Sequence, residues 1–171
     1  MHMHAALKTD MALGLCRQVL KGVGCVVFFG VLLGAAQAQG HSAVNPNAFT
    51  KLPEVAALIG AVPTAPVRLR VWGFEVYDAR LWSAAPVAGD GAAQPLALAL
   101  VYARQLVGEQ IASRSLKEMA RIGRVNDEQS ARWLKAMTQL FPDVKDGDRL
   151  TGVQRPGVAT RFFLNGQLRG E

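Results

Sequence analysis

The sequence predicts an α+β domain with an antiparallel sheet and helices on one face. Three observations carry this. Leu96–Ala103 (LALALVYA) alternates leucine and alanine and is apolar on both faces. Two stretches of helical period follow it, between Gly108 and Phe141. The chain then ends in short strand-like runs joined by Arg155-Pro156-Gly157 and Asn165-Gly166, the second a strong two-residue hairpin signal.

The leader stands apart from this domain. Lys8, Arg17 and Lys21 precede an uncharged run, Val23–Ala36, and Ala36-Gln37-Ala38 has the A-x-A cleavage pattern. Together these read as a secretory signal peptide over residues 1–38, with Met11 as an alternative start. The apolar run is shorter than the ~20 residues of a bilayer span. Cleavage after Ala38 predicts a periplasmic protein with no stable membrane span. Both cysteines, Cys16 and Cys25, leave with the leader, so packing alone must hold the exported chain. Residues 39–51, polar and rich in Pro and Asn, read as a flexible arm, and 52–171 as the domain.

Within the domain, Pro53–Ile59 reads as a short helix, with Pro53 in its first turn and Gly60 at its end. Pro63 and Pro66 keep the chain extended up to Val67. Val67–Trp72 and Phe74–Trp82 read as strands about Gly73: a tight hairpin, or one long strand bent at a bulge. Ser83–Gln94 reads as an exposed loop. Leu96, Leu98, Leu100 and Tyr102 line one face of the next strand and Ala97, Ala99, Val101 and Ala103 the other, which makes it a central strand covered on both sides. Gly108–Ile122 reads as a helix with Ile111, Ser115, Met119 and Ile122 inward and Gly123 closing it. A second helix has Asn126 as N-cap, with Gln129 completing a capping box. Leu134, Met137 and Phe141 form its apolar stripe, Trp133 lies beside it and Pro142 stops it. Strands follow at Arg149–Gln154, Thr160–Leu164 and from Gln167. The last is cut off at Glu171, so the expectation is a natural domain that continues.

The chain carries a formal charge of +6 and stays basic without its leader. Its cations are scattered rather than striped with aromatics, so no nucleic-acid partner is expected. Beyond the leader the single histidine is His41. That excludes His/Cys metal sites and Ser-His-Asp or Cys-His catalysis, and no phosphate loop or dinucleotide fingerprint is present. No metal and no cofactor are expected. Asp143, Asp146 and Asp148 read as a turn rather than a calcium loop. Arg68 and Arg70 share one strand face, and three readings stay open for them: an anion clamp, a solvated face, or pairing with Glu75 or Asp78. Tyr77 and Tyr102 are candidate hydroxyl donors, although Tyr102 shares its face with leucines and reads first as core. Glu118 reads as a solvent-facing carboxylate or a general base.

Three segments resemble the chalcone isomerase-like family in its exported bacterial branch. They are GFEVYDARLW, LVYARQLVGEQIASRSLKEM and LFPDVKDGDRLTGVQRPGVATRFFLNGQLRGE, the last being the most specific. The resemblance covers most of Leu52–Glu171. It implies an open-faced β-sandwich, a large antiparallel sheet under a layer of helices, with the ligand cleft between them. It also implies a further helical stretch at the C-terminal end, apparently missing here. It places the family's ligand-anchoring arginine on Arg68 or Arg70 and its strand threonine on Tyr77. The family's helix tyrosine and asparagine fall on Ile111 and Glu118. With those two replaced, the implied function is a non-catalytic periplasmic binder of a small amphipathic acid such as a fatty acid. The alternatives are an isomerase (intramolecular lyase) acting on chalcone-like enones and an envelope scaffold that binds a protein partner.

Overall fold

A computed structural model describes residues 46–50, 52–87, 93–122 and 125–171. The segments expected to be a signal peptide (1–38) and, for the most part, a flexible arm (39–51) lie outside the described residues, as do part of the 83–94 loop and Gly123. The elements are β1 (Val62–Pro63), β2 (Val67–Val71), β3 (Phe74–Ser83), β4 (Leu96–Tyr102), α1 (Gly108–Ile122), α2 (Asp127–Leu140), β5 (Arg149–Arg155), β6 (Ala159–Leu164) and β7 (Gln167–Gly170). A turn of 3-10 helix, Pro46–Phe49, precedes them. All seven strands join one antiparallel sheet in the order β1-β3-β4-β5-β6-β7, with β2 pairing along the same edge of β3 as β1. The fold is α+β.

The leucine–alanine alternation sorts β4 as expected. Leu96, Leu98, Leu100 and Tyr102 pack under the helices with Ile111, Met119, Trp133, Met137 and Phe141. Ala97 and Ala99 face the other way, against Phe49, Val55, Leu58 and Trp82. The alanine face is therefore covered by the segment that leads into the sheet, and the missing side-chain bulk is what lets that backbone lie close. Glu54 pins the segment there, accepting hydrogen bonds from the Thr151 hydroxyl at 3.0 Å and the Arg149 guanidinium at 3.4 Å.

Pro53–Ile59 is not an α-helix. It is a series of tight turns, with Val55, Ala56 and Leu58 donating to carbonyls three residues back. A stretch this short cannot offset the cost of helix nucleation by itself. Val55 and Leu58, three apart, are its two buried apolar side chains, and a three-residue repeat suits them better than 3.6.

Of the two forms left open by the sequence, the β2–β3 connection is the tight hairpin and not one long strand bent at a bulge. Trp72-Gly73 is a two-residue hairpin loop with positive φ at both positions, +50° and +83°. A bulge also interrupts the register between Leu69 and Arg70, so that Leu69 pairs with Tyr77 but Arg70 pairs with Glu75. Val76 is the extra residue, and it packs on the same side as Tyr77.

α1 spans the expected residues. Its first amide, Gly108 N–H, donates to Asp143 Oδ1 at 2.8 Å. A Cβ at Gly108 would overlap the Phe141 carbonyl oxygen, so the close approach demands glycine. α2 has the Asn126 N-cap and both arms of the capping box. Met137 on its inner face is fully buried, worth about 2 kcal/mol of transfer free energy. Asn165-Gly166 turns β6 into β7 with φ of +51° and +85°, the signature of a type I′ turn. Among the described residues no helix is long and apolar enough to cross a membrane.

Candidate functional site

A cavity of about 310 Å³ lies where α1 crosses β2, β3 and β4. Its walls are apolar: Leu69 and Val71 from β2, Val76 from β3, Leu100 from β4, then Leu106 and Ile111. The bulge contributes directly, because it aims both Val76 and Tyr77 at this side of the sheet. Its volume is at the lower end of the range for small-molecule sites.

The polar groups are few. Tyr77 and Tyr102 sit opposite one another on β3 and β4, with ring centroids 6.0 Å apart in an edge-to-face pair. Tyr102 is 2% exposed, and its hydroxyl has no hydrogen-bond partner among the described residues. Burial pushes the Tyr77 phenol up to about 12, helped by the Glu118 carboxylate and opposed by the Arg114 guanidinium. Burial, and then the neighbouring Tyr77, raises the Tyr102 phenol well above its usual value. Both phenols are protonated donors at neutral pH. Gln110, Arg114 and Ser115 complete the lining from α1. Ser115 spends its hydroxyl on the Ile111 carbonyl at 2.8 Å. The Arg114 side chain is 64% exposed, so it stands where the cavity meets solvent.

Of the residues singled out from the sequence, Tyr77, Tyr102 and Ile111 come together here. Arg68 and Arg70 do not. They lie on the opposite face of the sheet, and the pairing alternative is the one realised. The Arg68 guanidinium makes two bonds to Asp78, at 2.6 and 2.8 Å, and a third to Glu75 at 2.8 Å. Arg70 donates to the same Glu75 oxygen at 2.8 Å. The hydrogen bond to Asp78 raises the Arg68 pKa further, and the bond from Arg70 leads in lowering that of Glu75. Arg80 lies on this face too, 6.0 Å from the Phe49 ring centroid and 5.8 Å from that of Trp82, donating to the Thr64 carbonyl.

Glu118 is buried rather than solvent-facing. Arg114 at 2.7 Å and Arg121 at 3.0 Å hold its two oxygens, so it sets the position of Arg114 from behind the cavity lining. The sequence reading missed Arg114 and Gln110 as lining residues. The signal was available in the helical period, which carries Ile111 and Ser115 with their neighbours 110 and 114 onto one side of α1. Asp143 and Asp148 serve local structure. Asp143 caps α1, and Asp148 accepts from the Lys145 amide and the Asn165 side chain. Among the described residues no group of three His, Cys, Asp or Glu side chains is placed to hold a metal ion.

Comparison with protein-family models finds no match, and comparison with curated proteins finds none.

Proposed function

We propose that this chain is a non-catalytic binder of a small amphipathic acid, with the cavity under α1 as its site. The observation that carries the reading is an apolar chamber of about 310 Å³ bordered by an arginine and lined by a tyrosine whose buried hydroxyl has no hydrogen-bond partner among the described residues. The apolar part of the ligand lies among Leu69, Val76, Leu100 and Ile111. Its carboxylate sits at the rim, where Arg114 provides charge and a two-pronged donor, and the protonated phenols provide further donors. The same proposal includes the chalcone isomerase-like fold and export to the periplasm. What supports the first is the quoted sequence segments together with a cavity between sheet and helix. What supports the second is the leader sequence.

The test is native mass spectrometry of the purified full chain, followed by titration with a medium-chain fatty acid. Arg114→Gln and Ile111→Trp should each weaken binding at least tenfold, the first by removing the charge and the second by filling the chamber. Arg70→Ala, on the other face, should leave binding unchanged. Equal binding by wild type, Arg114→Gln and Ile111→Trp would overturn the proposal.

A further inference from the structure

The hairpin tip between β2 and β3 is built against two ordinary preferences. A two-residue loop with positive φ at both positions favours Asn or Gly, yet Trp72 occupies the first of them at φ +50°. Large aromatic side chains are normally at least half covered, yet Trp72 is 94% exposed. Its neighbours continue the pattern. Phe74 is 64% and Val71 42% exposed, so three apolar side chains crown one turn. Arg104 stands over the Phe74 ring at 5.6 Å, and Arg70, 39% exposed, lies one residue before Val71. Val71 and Leu69 of the same hairpin also line the cavity.

We propose that this tip is a membrane-docking element that inserts Trp72 and Phe74 into the interfacial layer of an anionic lipid surface. Indole is suited to that layer because its ring is apolar and its N–H is polar. Arg104 sits beside the inserted Phe74 ring, at the depth of lipid phosphates, where a cation favours an anionic surface, while the charge of Arg70 is balanced by Glu75. A folded protein partner fits the tip less well. A stable protein interface buries about 800 Å² per partner, and one projecting turn of three apolar residues cannot supply that. A fluid surface needs no complementary socket. Docking by this tip would set the β2 wall of the cavity against the bilayer, and the proposal stands whether or not the cavity takes an acid.

The position of the tryptophans makes the test clean. Trp82 and Trp133 are 7% and 4% exposed, so Trp72 is the only one of the chain's three that water reaches. The full chain is mixed with phosphatidylcholine vesicles, with or without phosphatidylglycerol, and tryptophan emission and co-sedimentation are recorded. Emission should shift to the blue on the anionic vesicles, and lipids brominated near the headgroup should quench it. Trp72→Ser should abolish shift and quenching and lower partitioning about tenfold or more, with an unchanged thermal transition. Arg104→Gln should weaken binding to anionic vesicles more than to neutral ones. Co-sedimentation without a blue shift, equal in Trp72→Ser, would assign binding to another part of the chain and overturn the proposal. A blue shift that grows with protein concentration in the absence of vesicles would assign the tip to self-association and overturn it as well.

Discussion

Replacing Tyr102 with phenylalanine should make the protein more stable and a poorer binder. The ring is 2% exposed and packs edge-on against Tyr77, and phenylalanine preserves both contacts. What it removes is a hydroxyl without a hydrogen-bond partner among the described residues. Leaving such a group desolvated costs about 1–3 kcal/mol. Its deletion should therefore stabilise the unliganded protein by about 1 kcal/mol, or about 4 °C in Tm for a domain of this size. The same deletion takes a donor from the cavity, so affinity for the acid should fall about threefold to tenfold, the worth of one hydrogen bond. Urea and thermal unfolding with and without ligand measure both effects on the same samples. Destabilisation by more than about 1 kcal/mol would mean that the hydroxyl is satisfied within the fold, and the argument fails. Stabilisation with unchanged affinity would mean that the hydroxyl does not face the ligand.

Asp78→Ala should cost about 3 kcal/mol in urea unfolding, because it strips two bonds from an Arg68 side chain that is only 13% exposed; a loss below about 1 kcal/mol would show that Glu75 and solvent suffice for Arg68. Gly108→Ala should destabilise by at least about 2 kcal/mol, since its methyl group meets the backbone of Phe141 and Pro142 rather than movable side chains; a wild-type Tm would contradict that packing. Both tyrosines of the chain have raised pKa values, so tyrosinate absorbance should stay low at pH 10 and rise only towards pH 12 and on unfolding. The sign follows from proton binding. Above pH 10 the unfolded chain releases the Tyr77 proton that the folded chain keeps until about 12, so stability falls across that interval. An ordinary tyrosine titration near 10 in the folded protein would refute the burial of both rings.

Much of the framework was legible because its signals are local. The two-sided strand around Leu98, the Asn126 capping box and the Asn165-Gly166 turn each depend on residues within a few positions of one another. The site was legible only in part because its geometry depends on partners far along the chain. Alternation shows that Arg68 and Arg70 share a face, but a strand does not announce which face meets the helices. The bulge that turns Val76 inward beside Tyr77 exists only in the pairing of β2 with β3. Arg114 looks like any exposed helix cation until α1 lies across the sheet. Glu118 is buried because Arg114 and Arg121 arrive with it on the same helix face, and an isolated carboxylate in the sequence gives no sign of that. Pro53–Ile59 has helix-like punctuation, but the flat alanine face of β4 dictates how that segment packs.

Every described residue of the cavity wall lies between Leu69 and Ser115, and among the described residues β5, β6 and β7 contribute none. The chain thus encodes its chamber in one continuous passage of hairpin, strand and helix, and its supporting meander in another. Floor and roof are neighbours in synthesis, and later residues then fix them: Asp143 accepts from the Gly108 amide and Val144 pairs with Leu106. The first passage is not free of structural duty, because Asp78 and Gly108 within it also hold the fold together. On the proposed reading, a laboratory seeking new binding preferences has a compact stretch to randomise, with Asp78, Gly108 and the meander held constant as its foundation.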